Sequence, residues 1–399
     1  MGSISNLAIV YIFLLIATAL TAVSATGSIF NVMDYGVKTD ANSDNSPGFL
    51  KAWTEACAAA GAEVKVLVPK GDYGMGPVVF EGPCKASTIH FELQGTLKAS
   101  TDLSKFKKDG WISFYRITGF KLSGGGVFDG QGASTWSKNS CSKQKNCNVL
   151  PVNIRFDYIT NGHVSYVSSI NSKMFHINIL GCNDITLDHV TVTAPGESPN
   201  TDGIHLGDST KVTITNCIIA TGDDCVSIGS GSSHVIVDKV TCGPGHGISI
   251  GSLGRYPDEK DVTDITVTRI ILKGTTNGVR IKTWQESPKE TKVTNVIFKD
   301  ITMQDVQFPL NIDQEYCPYA SCGTKSPSKV KITNVQFNNI RGTSASKDAV
   351  KIVCSKGMPC EGVKLGDINL TYNGAQPTSI CRSAHISAVG KVFPVSCST

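Results

Sequence analysis

The sequence predicts an all-β chain wound as a single-stranded, right-handed parallel β-helix with a short N-terminal capping helix. Three observations carry that expectation. Asp202-Gly-Ile-His-Leu206, Asp224-Cys-Val-Ser-Ile228 and His246-Gly-Ile-Ser-Ile250 start 22 residues apart, twice, and Asn277-Gly-Val-Arg-Ile281 follows at a longer interval. Between them runs a second strand type: Val212-Thr-Ile-Thr, Val235-Ile-Val-Asp, Ile265-Thr-Val-Thr, Val296-Ile-Phe and Val330-Lys-Ile-Thr. Nearly everything beyond Gly61 is short, β-branched and punctuated by Gly or Asn. A fixed period without helical pattern marks a solenoid, each coil hydrogen-bonding to the next. A β-sandwich is the competing architecture, and it leaves the 22-residue register unexplained.

Taken in chain order, the first element is an apolar run, Leu7 to Leu20, whose 14 residues are too few to span a bilayer comfortably. The small residues Val23-Ser24-Ala25 follow, so residues 1–25 read as a secretory signal, although no Lys or Arg precedes the run. An N-terminal membrane anchor is the alternative. Residues 26–399 are expected to form one β-helix domain. Within it, Ser46 is expected to cap a helix with Pro47 at its first position, and Phe49, Leu50, Trp53, Ala56 and Cys57 form its apolar face before Gly61. That helix is suited to covering the open N-terminal end of the solenoid. The run from Gly124 to Gly132 resembles a phosphate loop only superficially. No Lys-Ser/Thr follows it and no helix is signalled, so it reads as a tight coil turn.

One coil cannot bury its inner face alone. Stacking makes Ile204, Val226, Ile248 and Val279 one inward row and Leu206, Ile228, Ile250 and Ile281 another, with His205, Ser227, Ser249 and Arg280 turned outward by alternation. The 37 Lys+Arg against 33 Asp+Glu leave a net charge of +4, too weak for a dedicated nucleic-acid binder. The lysine-rich stretches Lys98 to Lys108 and Lys138 to Lys145 read as solvated loops able to steer an anionic polymer. Fourteen cysteines in a secreted chain read as disulfides rather than metal ligands, with connectivity left open by spacing. Candidates are Cys57, Cys84, Cys225, Cys242, Cys354, Cys360, Cys381 and Cys397; the pairs Cys141/Cys147 and Cys317/Cys322 also lie close in sequence. A bond from Cys225 to Cys242 would clamp the strand beside Asp224. Asn369-Leu370-Thr371 is a glycosylation sequon.

In a solenoid, residues one period apart lie about 4.8 Å apart. Asp202, Asp224 and His246 therefore stack, with Asp223 beside them. Simple alternation would bury both Asp202 and Asp224, and an unpaired buried carboxylate is costly. The chain is therefore expected to bend just before Ile204 and Val226. Like charges this close raise one another's pKa, so at least one of the three acids is expected to hold a proton near neutral pH. One proton donor plus one carboxylate is what glycosidic cleavage needs. Arg280 and Lys282 add cations suited to a carboxylated sugar. Taken alone, stacked Asp residues are as well explained by a turn ladder, and His246 by a structural histidine. Together, and with Gly245 and Gly247 flanking His246, they point to chemistry. His163, His176, His189 and His205 read as surface or satisfied histidines.

Asn200-Thr201-Asp202, Gly222-Asp223-Asp224, Gly245-His246-Gly247 and Arg280-Ile281-Lys282 resemble, in order, the four signature motifs of polygalacturonases, the pectin-degrading glycoside hydrolases of family 28. The likeness extends from Phe30-Asn-Val-Met-Asp-Tyr-Gly to the C-terminal cysteines. Ile154-Arg-Phe-Asp, Gly251-Ser-Leu-Gly and Asp313-Gln-Glu-Tyr-Cys317 are most similar to plant pollen-type exopolygalacturonases. The resemblance implies Asp223 as general acid, Asp202 and Asp224 as holders of the attacking water, and His246 as tuner of the acid. It further implies that Arg280 and Lys282 bind the substrate carboxylate, with Asn200 and Tyr316 as further contacts. No metal or cofactor is implied. The partner is a pectic polysaccharide, polygalacturonate, with no nucleic acid and no membrane once the signal is removed. The chain is expected to be a monomer, secreted to the cell wall. Carboxylates about 5 Å apart would favour retention by the general spacing rule, whereas the family implies inversion. Competing readings are an endo-acting enzyme, a Ca-dependent pectate lyase and a non-catalytic wall-binding protein.

Overall fold

The computed structural model describes residues 27–139, 150–319, 322 and 326–394. The expected signal at residues 1–25 lies outside these, as do Cys141, Cys147 and Cys397. The chain is a right-handed parallel β-helix. One face is an 11-stranded sheet from Val78–Glu81 to Thr378–Arg382; the other walls form a 20-stranded sheet. Ile204, Val226, Ile248 and Val279 pair in register, as do Leu206, Ile228, Ile250 and Ile281, all parallel. All eight are fully buried in one apolar column that runs from Val32 to Ala384.

In the second sheet, Val212, Val235, Ile265 and Val296 also stack, and Val335 continues the row. Here the sequence misleads. Val330-Lys-Ile-Thr aligns with Thr291 to Thr294, five residues out of step with Val296. The cause is a change of coil shape, from separate strands Thr210–Thr215 and Ile218–Ala220 to the single 16-residue strand Thr291–Val306.

Helix α1, Ser46–Ala58, lies against the first coils, and the Trp53 ring sits 5.1 Å from that of Phe80. It covers the N-terminal end of the column, as expected. Its apolar face differs from the expectation. Phe49, Ala52, Trp53 and Ala56 are buried, but Leu50 faces solvent. The N-cap is Asn45, and Ser46 is already helical, its hydroxyl donating to Asp44. The Gly124 to Gly132 run is a coil turn, with Gly124 and Gly125 at positive φ ahead of the strand Val127–Asp129.

Disulfides join Cys57 to Cys84, Cys225 to Cys242, Cys317 to Cys322 and Cys354 to Cys360, and Cys381 is also disulfide-bonded. Cys182 and Cys217 depart from the expectation that the cysteines are bridged. Both are free thiols, and burial pushes them up to about 12 and about 11. Asn369 lies on the strand Cys360–Thr371 with its side chain exposed. Among the described residues, no helix is long and apolar enough to cross a membrane.

Candidate active site

The 11-stranded sheet presents an outward row, Arg155, Asn178, His205, Ser227, Ser249, Arg280, Asn311 and Lys351, one residue per coil. The middle of this row becomes a cleft because the chain bends where it enters two strands. Those strands begin only at Ile204 and Val226, and the preceding acids turn out of the column to meet outward-row hydroxyls. Ser227 Oγ donates to Asp202 Oδ2 at 2.8 Å, and Ser249 Oγ donates to Asp224 Oδ1 at 2.8 Å. The acids lie outside the column, as expected, yet they are covered: Asp202 is 6% exposed and Asp224 1%.

Asp224 collects the cations. Arg280 Nη2 donates to its Oδ1 at 2.8 Å and Lys282 Nζ to its Oδ2 at 2.7 Å, while Arg280 Nε reaches Ser249 Oγ at 3.0 Å. The sequence placed these cations beside the acids for a substrate. The structure shows that each spends one donor on Asp224 first. Burial alone would raise the Asp224 carboxyl, but Lys282 and then Arg280 outweigh it and hold it down at about 2. Among the described residues, Asp202 has no cation bonded to it. Burial, and then the charges of Asp223 and Asp224, push its carboxyl well above the ordinary range. The expected proton in the cluster therefore has its seat on Asp202, not on Asp223, the residue the resemblance implies as general acid.

Asp223 is tied at one oxygen. Its Oδ1 accepts from His246 Nδ1 at 2.8 Å and from the Asp224 backbone N–H at 2.8 Å. Asn200 Nδ2 approaches Oδ2 at 3.5 Å, leaving Asn200 Oδ1 buried without a partner. Burial disfavours the charged His246 ring, but the bond to Asp223 and the neighbouring carboxylates win, and its pKa is raised. The glycines around His246 serve the coil stacking. A Cβ at Gly247, which has φ +83°, would lie 2.1 Å from Asn277 O, and one at Gly245 2.6 Å from Asp223 O. Beneath them the disulfide Cys225–Cys242 fixes the turn that carries Asp224. Tyr316 ends the strand Phe308–Tyr316, after a register shift that places it beside Trp284. Lys282 Nζ stands 5.3 Å and Arg280 Cζ 6.0 Å from the centre of its ring.

All the sequence-predicted site residues except the disulfide and glycan positions thus gather in one cleft: Asn200, Asp202, Asp223, Asp224, His246, Arg280, Lys282 and Tyr316. The cleft also holds groups that the sequence reading passed over. His205, set aside as a surface or satisfied histidine, lines it. Its Nδ1 is 2.7 Å from Ser227 Oγ, and burial drives its pKa down to about 4. Alternation had already turned His205, Ser227 and Ser249 outward, so a signal for them existed. Phe175, Arg255, Trp284 and Tyr319 line the cleft without any periodic signal. Ligand atoms of Asp223, Asp224 and His246 lie within 4.8 Å of one another, a spacing a metal ion could bridge. Both oxygens of Asp224 and Nδ1 of His246 are already engaged, however, and two fixed cations oppose a third.

A solenoid cleft with one carboxyl pushed toward its neutral form, one locked as a carboxylate and a third facing the same space, all beside cations, is the arrangement of a hydrolase of carbohydrate chains. The chain belongs to the glycosyl hydrolases family 28, which it matches over residues 57–397. An exopolygalacturonase of Platanus acerifolia is 55% identical over 93% of this chain and 98% of its own length. A polygalacturonase of Brassica napus is 49% identical over 89% of each. The fold is shared with the endo-xylogalacturonan hydrolase of Aspergillus tubingensis, at TM-score 0.76 and 23% identity over 91% of this chain and 99% of that one.

Proposed function

We propose that the chain hydrolyses the α-1,4-galacturonosyl links of polygalacturonate, releasing galacturonate from chain ends with inversion. The observation that carries this reading is the division of charge in the cleft: Asp224 locked as a carboxylate by Lys282 and Arg280, and Asp202 driven toward its neutral form. Water seated between Asp202 and Asp224 gives up its proton as it attacks the anomeric carbon, and the ionised Asp224 is the stronger attractor. Asp223, fixed at Oδ1 by His246 and facing the same cleft, enters the step with a proton on Oδ2 and delivers it to the leaving oxygen as the glycosidic bond breaks. Arg280 keeps donors beyond those given to Asp224 and Ser249, and with Lys282 it grips the carboxylate beside the cut. Tyr316 and Asn200 complete the contact with the sugar.

No step calls for a metal or cofactor. Inversion follows from two carboxylates sharing one water, since an acid with three donors already on it is a poor nucleophile. The exo mode is supported by the Platanus relative. The setting is extracellular, at the cell wall, with residues 1–25 removed, a glycan site at the exposed Asn369, and a monomer as the working unit. Incubation of the purified protein with polygalacturonate tests the whole reading. The expected result is free galacturonate with little loss of viscosity, appearing first as the β-anomer by NMR. An early viscosity drop would replace exo by endo cutting, and ultraviolet-absorbing products would indicate a lyase. No product at all would sink the assignment.

A further inference from the structure

Arg280 and Lys282 are both engaged by Asp224, but a third cation in the cleft is not. Arg255 follows the strand Ile248–Leu253 and lines the same cleft as the acids. Its guanidinium carbon lies 5.1 Å from the Trp284 ring centre and 5.3 Å from that of Tyr256. Among the described residues it has no carboxylate partner. Its backbone is held from below. The buried Glu259 carboxylate accepts from the N–H groups of Gly254, Arg255 and Tyr256 at 2.6, 2.8 and 2.9 Å. A planar cation braced by aromatic faces and anchored at its main chain is pre-organised, so little entropy is lost when it binds.

A second observation points to a ligand at the same place. Trp284 Nε1 is buried and, among the described residues, has no hydrogen-bond partner, although its ring lines the cleft. A buried donor left unpaired is costly, and binding of an acceptor removes that cost. The position along the cleft is set by the aromatic contacts. Tyr316 packs against Lys282 and Arg280 and, edge to face at 5.3 Å, against Trp284, with Arg255 on Trp284 in turn. Arg255 thus stands two aromatic rings, Tyr316 and Trp284, beyond the pair of cations next to the acids. A uronate polymer carries one carboxylate on every sugar, so the next carboxylate along the chain meets the next free cation.

We propose that Arg255 grips the carboxylate of a second uronate residue, one sugar beyond the one held by Arg280 and Lys282, with the Trp284 indole N–H as its companion donor. Arg255 is then a specificity-determining residue that makes the enzyme read charge on two successive sugars. This rests on the polygalacturonate reading above and extends it.

The test compares digalacturonate, which straddles the cut, with trigalacturonate, which also reaches Arg255, in the full-length protein and its Arg255→Gln variant. The variant is expected to lose about tenfold or more in kcat/KM on the trimer, mainly through KM, and less than about twofold on the dimer. Arg255→Lys should recover part of the loss. Equal losses on both oligomers would mean a structural role, and no loss on the trimer would mean no contact; either overturns the proposal. The same two oligomers are also titrated into Asp223→Asn, with and without Arg255→Gln, following tryptophan fluorescence. Trimer binding through Arg255 in these titrations, with no hydrolysis of either oligomer by the parent protein, would sink the enzymatic reading alone, whereas trimer binding indifferent to Arg255 would sink this one.

Discussion

Asp202 is held by a serine hydroxyl, whereas Asp224 has a serine and two cations on it, and that inequality decides what each loses on becoming an amide. Asp202→Asn removes a carboxyl whose charged form the fold resists, so at pH 7 the variant is expected to melt above the parent while releasing almost no sugar. Asp224→Asn abolishes release as well, but it strands Arg280 and Lys282 beside an amide. Breaking a buried pair in that way costs about 3 kcal/mol or more. Thermal melts of the two variants check this, and an Asp224→Asn protein more stable than Asp202→Asn would contradict the assigned charges. Asp223→Asn should stop release with stability near that of the parent. If it still releases galacturonate, Asp223 is not the acid.

At the scale of strands and helices, what was legible followed from repetition. The two inward rows and the bend before Ile204 and Val226 could be read because the period of 22 residues holds through those coils. Legibility ended where the period broke. Val330 slipped out of register because the strand before it is long and continuous, and Tyr316 enters the cleft through a register shift between Lys282 and Trp284. Arg255 sits in an insertion between coils, where no row exists to place it. Helix α1 was located correctly but rotated, since a single helix on a column end has no second repeat to fix its face. Paired substitutions check both halves of this account. Ile248→Ala opens the packed column and is expected to cost about 2–5 kcal/mol in urea unfolding. Leu50→Ala, on the solvent side of α1, should cost less than about 0.5 kcal/mol. Similar losses at both positions would mean that Leu50 packs after all.

For the molecule as a whole, acid is expected to serve the proposed chemistry and to harm the fold, with different groups setting the two limits. His176 is fully buried, its Nδ1 3.0 Å from Ser169 Oγ and its Nε2 without a partner, and burial holds its pKa down at about 3. His205 is held at about 4 by the same cause. A histidine kept neutral in the native state contributes stability that is complete above its ordinary value of about 6.5 and is lost as pH falls through its folded value. Asp224, held at about 2, acts in the same direction lower down: its contribution is present above the ordinary carboxylate range and lost as pH falls through about 2. Asp202 opposes them, because its raised pKa favours the native state at low pH and that advantage fades as pH rises. His176 and His205 take up protons on unfolding between about pH 6.5 and their folded values, so the urea midpoint should be level near neutrality and fall below about pH 6. His176→Gln, which does not touch the cleft, should flatten that fall while lowering the plateau, because one buried proton acceptor has gone. A slope unchanged by His176→Gln would show that the proton enters elsewhere. Activity should rise on the acid side of neutrality, where Asp202 holds its proton, and end where His176 and His205 begin to charge.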